Sequence, residues 1–92
     1  MTLYCIGINH KTASVELRER LTIDRDQLLT KQDWLNGIAM ISTCNRIELY
    51  ASIAETENGE SLVQHWGQLA GVNPREFSEA IYQFEDRAAV SH

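Results

Sequence analysis

The sequence predicts an α+β fold, an antiparallel sheet covered by helices on one face, and three observations support it. Short apolar runs of strand length alternate with stretches of helical period, in the order β-α-β-β-α-β. The chain has 92 residues, which suffices for one domain with a single modest core. Hydrophobic residues make up 43% and charges of both signs are interspersed, as in globular domains. This element order is that of the split βαβ, or ferredoxin-like, sandwich.

The first third of the chain predicts one strand followed by two helical pieces. Residues 3–8 are apolar at nearly every position, which is typical of a strand in the middle of a sheet. Helical patterns follow at residues 15–21 and 25–35. Asp24 stands at the N-cap of the second helix, and Gln27 is in the capping-box position.

The middle of the chain predicts a pair of strands. Asn36 and Gly37 mark the end of the second helix, because glycine adopts the left-handed conformation at little cost. Residues 38–41 are an apolar run typical of a buried strand. Residues 47–53 alternate, which predicts a strand with one face in the core and one face in water. The polar members of that strand are Glu48, Tyr50 and Ser52.

The last third of the chain predicts a helix and a short strand. Asn58 and Gly59 open the helix, and Gly71 closes it. Its apolar stripe consists of Leu62, Trp66, Leu69 and Ala70. Residues 80–84 predict the final strand, and the pattern beyond it turns helical again.

This topology brings two polar segments to one edge of the sheet. In a split βαβ sandwich the first two strands run parallel, so the segments that follow them emerge on the same side. Those segments are residues 9–12 and 42–46. We therefore expect their side chains to face a common site.

The net charge of −5 is unevenly distributed along the chain. Residues 1–46 carry six Lys and Arg against five Asp and Glu, whereas residues 47–92 carry two against eight. Phosphate backbones bind chiefly through clustered Lys and Arg, so we expect this domain to hold nucleic acid weakly. No apolar run approaches the roughly 18 residues of a membrane span, and no export signal opens the chain. These features predict a cytoplasmic domain with no membrane partner.

Cys44 and Arg46 lie two residues apart in the predicted turn between the second and third strands. Cys44 is either a small residue that fills the turn or a nucleophilic thiol, and both interpretations are open from the residues alone. Its position points toward the thiol, because tight turns usually take Gly, Asn or Asp. Arg46 is either an ordinary surface charge or a guanidinium that grips a carboxylate through two hydrogen bonds. Residue type alone leaves both alternatives open. The pair suggests covalent chemistry on an acidic acyl group.

The other cysteine and the histidines give weaker signals. Cys5 lies in an apolar run and is predicted to be a core residue, and an unexported chain is expected to keep its thiols reduced. The three histidines are too scattered for metal-ligand spacing, and the two cysteines form no CxxC motif, so no metal site is predicted. His65 is expected at the solvent side or the boundary of its helix.

Four segments of the chain together resemble the N-terminal catalytic domain of glutamyl-tRNA reductase. They are Gly7-Ile8-Asn9-His10-Lys11-Thr12-Ala13, Leu17-Arg18-Glu19-Arg20, Ser42-Thr43-Cys44-Asn45-Arg46-Ile47-Glu48-Leu49-Tyr50 and Ala89-Val90-Ser91-His92. The likeness covers essentially the whole chain, in the same order and at compatible separations. The combination is highly specific, whereas any one segment would be weak.

The resemblance implies an activity and a ferredoxin-like fold. In that family a cysteine in the matching turn attacks the ester that joins glutamate to its tRNA. Hydride from NADPH then reduces the thioester to glutamate-1-semialdehyde, which leads into tetrapyrrole synthesis. The full-length enzyme is expected to be a homodimer. Residues 1–92 would be its catalytic domain, since they contain neither a GxGxxG turn for NADPH nor a long dimerising helix.

The resemblance also implies roles for individual residues. Cys44 becomes the nucleophile, and Arg46 becomes the partner of the side-chain carboxylate of the glutamyl group. The glutamyl-binding segment consists of Thr43, Cys44, Asn45 and Arg46. His92 falls where the family has a histidine important for activity, which would orient the ester or protonate the departing ribose oxygen. Residues expected to line the same pocket are Asn9, His10 and Thr12.

Two other functions are open from the sequence. A noncatalytic ferredoxin-like module would use the 42–46 turn to bind a ligand or a partner, and its Cys44 would react with iodoacetamide no faster than a free thiol. A redox-sensing domain would pair Cys5 with Cys44, which requires their Cα atoms to lie within about 7 Å. The position of Cys5 midway along a central strand argues against this pairing.

Overall fold

A computed structural model describes residues 2–28 and 32–85 of the chain. The strands are β1 (Thr2–Asn9), β2 (Leu35–Ser42), β3 (Arg46–Ile53) and β4 (Tyr82–Glu85). The α-helices are α1 (Val15–Arg20), α2 (Arg25–Leu28) and α3 (Gly59–Ala70), and 3-10 turns span Pro74–Glu76 and Ser78–Ala80. Within these residues no helix has the length and apolar character needed to cross a bilayer.

The four strands form one antiparallel sheet in the order β2-β3-β1-β4. β1 is central, so Cys5 faces Tyr50 of β3 on one side and Phe84 of β4 on the other. β2 and β4 are the edges. The sheet order and the helices between the strands confirm the predicted split βαβ sandwich.

The core lies between the sheet and the helices. β1 contributes Ile6 and Ile8, and β3 contributes Leu49, all fully buried. Trp66 of α3 is the largest fully buried side chain, and its Nε1 donates to the carbonyl oxygen of Leu21 at 2.8 Å. This bond ties α3 to the segment that follows α1.

The caps of α3 are those that the sequence predicts. The Asn58 side chain accepts from the backbone N–H of Ser61 at the start of the helix. Gly71 ends it in the left-handed conformation, with φ of 71°. Both groups act locally, which is why the prediction for this helix is confirmed.

The helix predicted for residues 25–35 is wrong at its end. Its start is correct, because the Gln27 side chain accepts from the Asp24 N–H at 3.1 Å. However, β2 already begins at Leu35, so the expected helix stop at Gly37 lies inside a strand. Gly37 has φ of 89° at an irregularity in the pairing of β2 with β3. Pairing with β3 overrides the local helical pattern.

Two predictions about strand burial are also wrong. Residues 38–41 belong to an edge strand and are not buried, and Ile41 is 47% exposed. Glu48, expected in water, is only 1% exposed. The hydroxyls of Tyr50 and Tyr82 donate to its two carboxylate oxygens at 3.1 and 2.9 Å. A polar cluster is therefore buried on the face of the sheet that no helix within residues 2–28 and 32–85 covers.

Two further predictions need correction. His65 is 4% exposed, because its ring packs edge-on against Trp34 with centroids 5.5 Å apart. This burial lowers the pKa of His65 below its usual value. The final strand begins at Tyr82, two residues later than predicted, because Ser78–Ala80 forms a 3-10 turn.

Candidate active site

The two polar segments, residues 9–12 and 42–46, meet at one end of the strands, as predicted. The pairing of β1 with β3 ends with Asn9 opposite Arg46. Just beyond it, the backbone N–H of His10 donates to the carbonyl oxygen of Asn45 at 2.7 Å. The loop after β1 is thereby attached to the turn between β2 and β3.

That turn is a tight hairpin with Cys44 and Asn45 at its tip. The Thr43 N–H donates to the Arg46 carbonyl oxygen at 2.8 Å. The Thr43 hydroxyl oxygen accepts from the N–H groups of Asn45 and Arg46 at 3.3 and 3.2 Å. Thr43 therefore closes the turn and holds the backbone on either side of the exposed Cys44.

The loop after β1 is shaped by its own side chains. The Asn9 side-chain oxygen accepts from the N–H groups of Lys11 and Thr12 at 2.9 and 3.0 Å. The Thr12 hydroxyl oxygen accepts from the Asn9 N–H at 3.0 Å. These bonds define a compact loop that leaves His10 exposed beside the turn.

Two open cavities flank the turn and share Thr43. The larger, about 510 Å³, is lined by Asn9, His10, Lys11, Thr43, Asn45 and Arg46, and we call it the Arg46 cavity. The smaller, about 300 Å³, has walls that include Cys44, Arg18, Val15 and Ile47, and we call it the Cys44 cavity. Cys44 and Arg46, two residues apart in the turn, thus border neighbouring cavities, and each has solvent access.

Arg18 is a site residue to which the sequence assigned no role. Its Nη1 donates to the carbonyl oxygen of Cys44 at 2.6 Å. The sequence feature that points to this contact is the position of α1, which begins just after the 9–12 loop with Ser14 as its N-cap. One side of this helix therefore faces the turn that carries Cys44.

Arg46 is half-exposed and lies above the buried Glu48. Its Nε is 3.9 Å from a carboxylate oxygen of Glu48. Burial, together with bonds to Cys5 and Glu48, raises the pKa of Tyr50 to about 12. Burial and the bond to Glu48 raise the pKa of Tyr82 well above its usual value. Both phenols therefore stay protonated at neutral pH and remain donors to Glu48.

The lack of a side chain at Gly7 allows Tyr82 to reach Glu48. This glycine is the feature of the sequence that indicates the contact. Gly7 pairs with Glu48 on one side and with Tyr82 on the other. A Cβ at Gly7 would lie 2.9 Å from the Tyr82 hydroxyl. The missing side chain leaves room for the Tyr82 ring to reach Glu48.

A comparison with known protein families identifies the family of this chain. The family model described as glutamyl-tRNAGlu reductase, N-terminal domain, matches residues 6–92. The chain belongs to this family. The match includes the loop after β1, α1 and the hairpin that carries Cys44.

In this member of the glutamyl-tRNA reductase family, the two thiols have different environments. Both are free. Cys5 is fully buried, and burial raises the pKa of its thiol to about 11, so its prediction as a core residue is confirmed. Cys44 is exposed. These environments favour Cys44 as the accessible thiol and give no support to a Cys5–Cys44 redox pair.

The remaining predictions for this family member concern His92 and metals. His92 lies outside the residues that the structure describes. In residues 2–28 and 32–85, no group of three or more His, Cys, Asp or Glu side chains is arranged to hold a metal ion.

Proposed function

We propose that this domain performs the thiol step of glutamyl-tRNA reduction, which leads into tetrapyrrole synthesis. Cys44 Sγ attacks the carbonyl carbon of the ester between glutamate and tRNA. A carbon–sulfur bond forms and the bond from carbon to the ribose oxygen breaks. The proton lost by the thiol ends on that oxygen, so the products are free tRNA and a glutamyl thioester.

The observation that carries this proposal is the placement of Cys44 at the tip of a rigid hairpin. The thiol is exposed, and it borders an open cavity instead of lying in the core. Bonds within the turn and from His10 fix the backbone around it. A nucleophile held on a rigid element meets its substrate in a reproducible geometry, which accelerates attack.

Arg46 supports glutamate as the acyl group. Its guanidinium borders a cavity of about 510 Å³, which has room for a glutamyl side chain. Glu48 approaches the Nε edge of Arg46, which leaves the two Nη groups to bind a carboxylate in a forked geometry. Asn9 and His10 also line this cavity, whereas Thr12 is not among its lining residues and acts through its hydrogen bond to the Asn9 N–H.

His92 is assigned on the family resemblance alone. We propose that it delivers the proton to the departing ribose oxygen. Replacement of His92 by Asn is then expected to slow acyl transfer while leaving alkylation of Cys44 by iodoacetamide unchanged. Equal slowing of both reactions would contradict this role.

The described residues do not fit a dinucleotide cofactor. β1 leads into α1 through residues 10–14, which contain no glycine. β3 leads into α3 through residues 54–58, which contain no glycine, so Gly59 at the start of α3 does not form a GxGxxG turn. We therefore assign NADPH binding to other regions of the full-length enzyme, and no hydride step to these residues.

Without hydride, water completes the reaction of this chain. Hydrolysis of the thioester breaks the carbon–sulfur bond, releases glutamate and regenerates the thiol. The expected activity is a slow esterase that releases glutamate from glutamyl-tRNA. Because the second half of the chain is acidic, we also expect weak tRNA binding. Tight, salt-sensitive tRNA binding by this chain would contradict that expectation.

The test is intact mass analysis after incubation with glutamyl-tRNA, together with measurement of released glutamate. We expect an adduct of one glutamyl group on Cys44 and no adduct on Cys44→Ser. Cys5→Ala is the matched control and should keep the adduct. Full esterase activity in Cys44→Ser would refute the proposal. Iodoacetamide labelling of Cys44 no faster than that of a free thiol would favour a noncatalytic module.

A second test addresses Arg46. Arg46→Gln removes the charge that would bind the glutamyl carboxylate, so KM for glutamyl-tRNA should rise several-fold while alkylation of Cys44 persists. Arg75→Gln is the control, because Arg75 lies in the Pro74–Glu76 turn and lines neither cavity. An unchanged KM for Arg46→Gln would exclude the carboxylate contact.

A further inference from the structure

Arg18 connects α1 to the residue that bears the exposed thiol. Its Nη1 donates to the Cys44 carbonyl oxygen at 2.6 Å, across 26 residues of sequence. Both residues line the Cys44 cavity. The bond carries a positive charge to the main chain of the proposed nucleophile, and charged donors form stronger hydrogen bonds than neutral ones.

The contacts of Arg18 are not those of a residue that mainly stabilises the fold. Its Nε is buried and has no hydrogen-bond partner among the described residues. A buried donor without an acceptor destabilises the folded state. The bond to Cys44 is solvent-exposed, so water competes for both of its groups and its contribution to folding stability is modest. Folding stability alone therefore does not account for Arg18.

Arg18 contributes one of the hydrogen bonds that hold the backbone carbonyl groups of the hairpin turn. Three carbonyl groups of the turn are engaged, each by a different donor. The carbonyl of Asn45 accepts from His10, and that of Arg46 accepts from Thr43. The carbonyl of Cys44 accepts from Arg18. Arg18 thus supplies the external restraint on the residue that carries the sulfur.

We propose that Arg18 is a positioning residue that orients Cys44 toward the Cys44 cavity and sets a fixed positive charge beside it. The inference rests on the proposed function. Attack of a thiolate on an ester creates a negatively charged tetrahedral intermediate, and a cation held close by stabilises that charge as it develops. A displacement of the nucleophile by about 1 Å is enough to slow such a reaction roughly a hundred-fold.

The test compares Arg18→Met with Arg20→Met in the same helix. Met retains the aliphatic stem of Arg18 and removes its charge and its unpartnered nitrogen. Arg20 is the matched control, because it pairs with Glu76 at 3.2 Å and lines neither cavity. Three quantities are measured on the whole chain: the single-turnover rate of glutamyl transfer to Cys44, the ratio of alkylation rates by iodoacetate and iodoacetamide, and Tm.

Arg18→Met is expected to slow glutamyl transfer by roughly ten- to a hundred-fold. It should lower the ratio of the iodoacetate rate to the iodoacetamide rate about three-fold. A unit positive charge roughly 6 Å away in water favours the anionic reagent by that factor. Its Tm should equal or exceed that of the wild type, because an unpartnered buried donor is removed. Arg18→Lys should retain most of the ratio, since it keeps the charge. Arg20→Met should leave the transfer rate and the ratio unchanged.

The outcomes separate the two proposals. If Cys44→Ser transfers glutamate as fast as the wild type, the proposed function fails. If transfer requires Cys44 but Arg18→Met retains the wild-type rate and ratio, only the role of Arg18 is overturned. A large fall in Tm for Arg18→Met would also overturn it, by showing that Arg18 serves the fold.

Discussion

Gly7→Ala tests whether the polar cluster of Glu48, Tyr50 and Tyr82 depends on the close approach of β4 to β1. The added Cβ would lie 2.9 Å from the Ile47 carbonyl oxygen and 2.9 Å from two atoms of the Tyr82 ring and hydroxyl. Tyr82 can rotate away only by losing its bond to Glu48, and the backbone oxygen cannot move without disturbing the strand pairing. Overpacking of this kind costs about 1–3 kcal/mol. At a central value of about 2 kcal/mol, Tm should fall by roughly 8–16 °C.

Thermal unfolding followed by circular dichroism measures the change, and the control is the same substitution in a Tyr82→Ala background. In a Tyr82→Ala background the effect of Gly7→Ala should shrink by at least about 0.5 kcal/mol, because part of the clash is gone. A Tm within about 2 °C of wild type, or absence of this coupling, would refute the reasoning.

Further expectations concern the thiols, the buried histidine and the core. Under native conditions iodoacetamide should modify Cys44 and leave Cys5 unreacted, since Cys5 is fully buried and the pKa of its thiol is raised to about 11; peptide mass mapping would reveal any equal labelling. Burial lowers the pKa of His65, so the unfolded chain takes up the proton first as pH falls. Urea unfolding at pH 7.5 and 5.5 should show lower stability below about pH 6.5, and His65→Phe should lose that part of the pH dependence. Trp66→Phe removes the donor to the Leu21 carbonyl and should lower the free energy of unfolding by roughly 1–3 kcal/mol in denaturant titration; no change would show that this bond adds nothing.

The elements that the sequence predicted well are those whose determinants are local. α3 is bounded by Asn58 and Gly71, and its apolar stripe repeats along one segment. The element order then placed the 9–12 and 42–46 segments at one edge, because topology alone decides that. Exposed Cys44 and buried Cys5 likewise follow from turn and strand patterns.

The features that the sequence did not predict depend on residues far apart in the chain. The burial of Glu48 depends on Tyr82, 34 residues away, and on the space above Gly7. The bond of Arg18 to Cys44 joins residues 26 apart. The edge position of β2 follows from which strands pair, so an apolar run there could not be distinguished from a buried one by periodicity.

The alternation along β3 has a consequence for how this domain can evolve. Odd-numbered residues such as Ile47 and Leu49 face the helices, and Glu48 faces the tyrosines. An insertion or deletion of one residue within β3 would exchange these faces and drive a carboxylate into the apolar interior. Length changes are better tolerated in residues 54–57, between β3 and the Asn58 cap of α3, because loop closure depends weakly on length. Related sequences should therefore differ in length at that connection while keeping the number of residues in β3 unchanged.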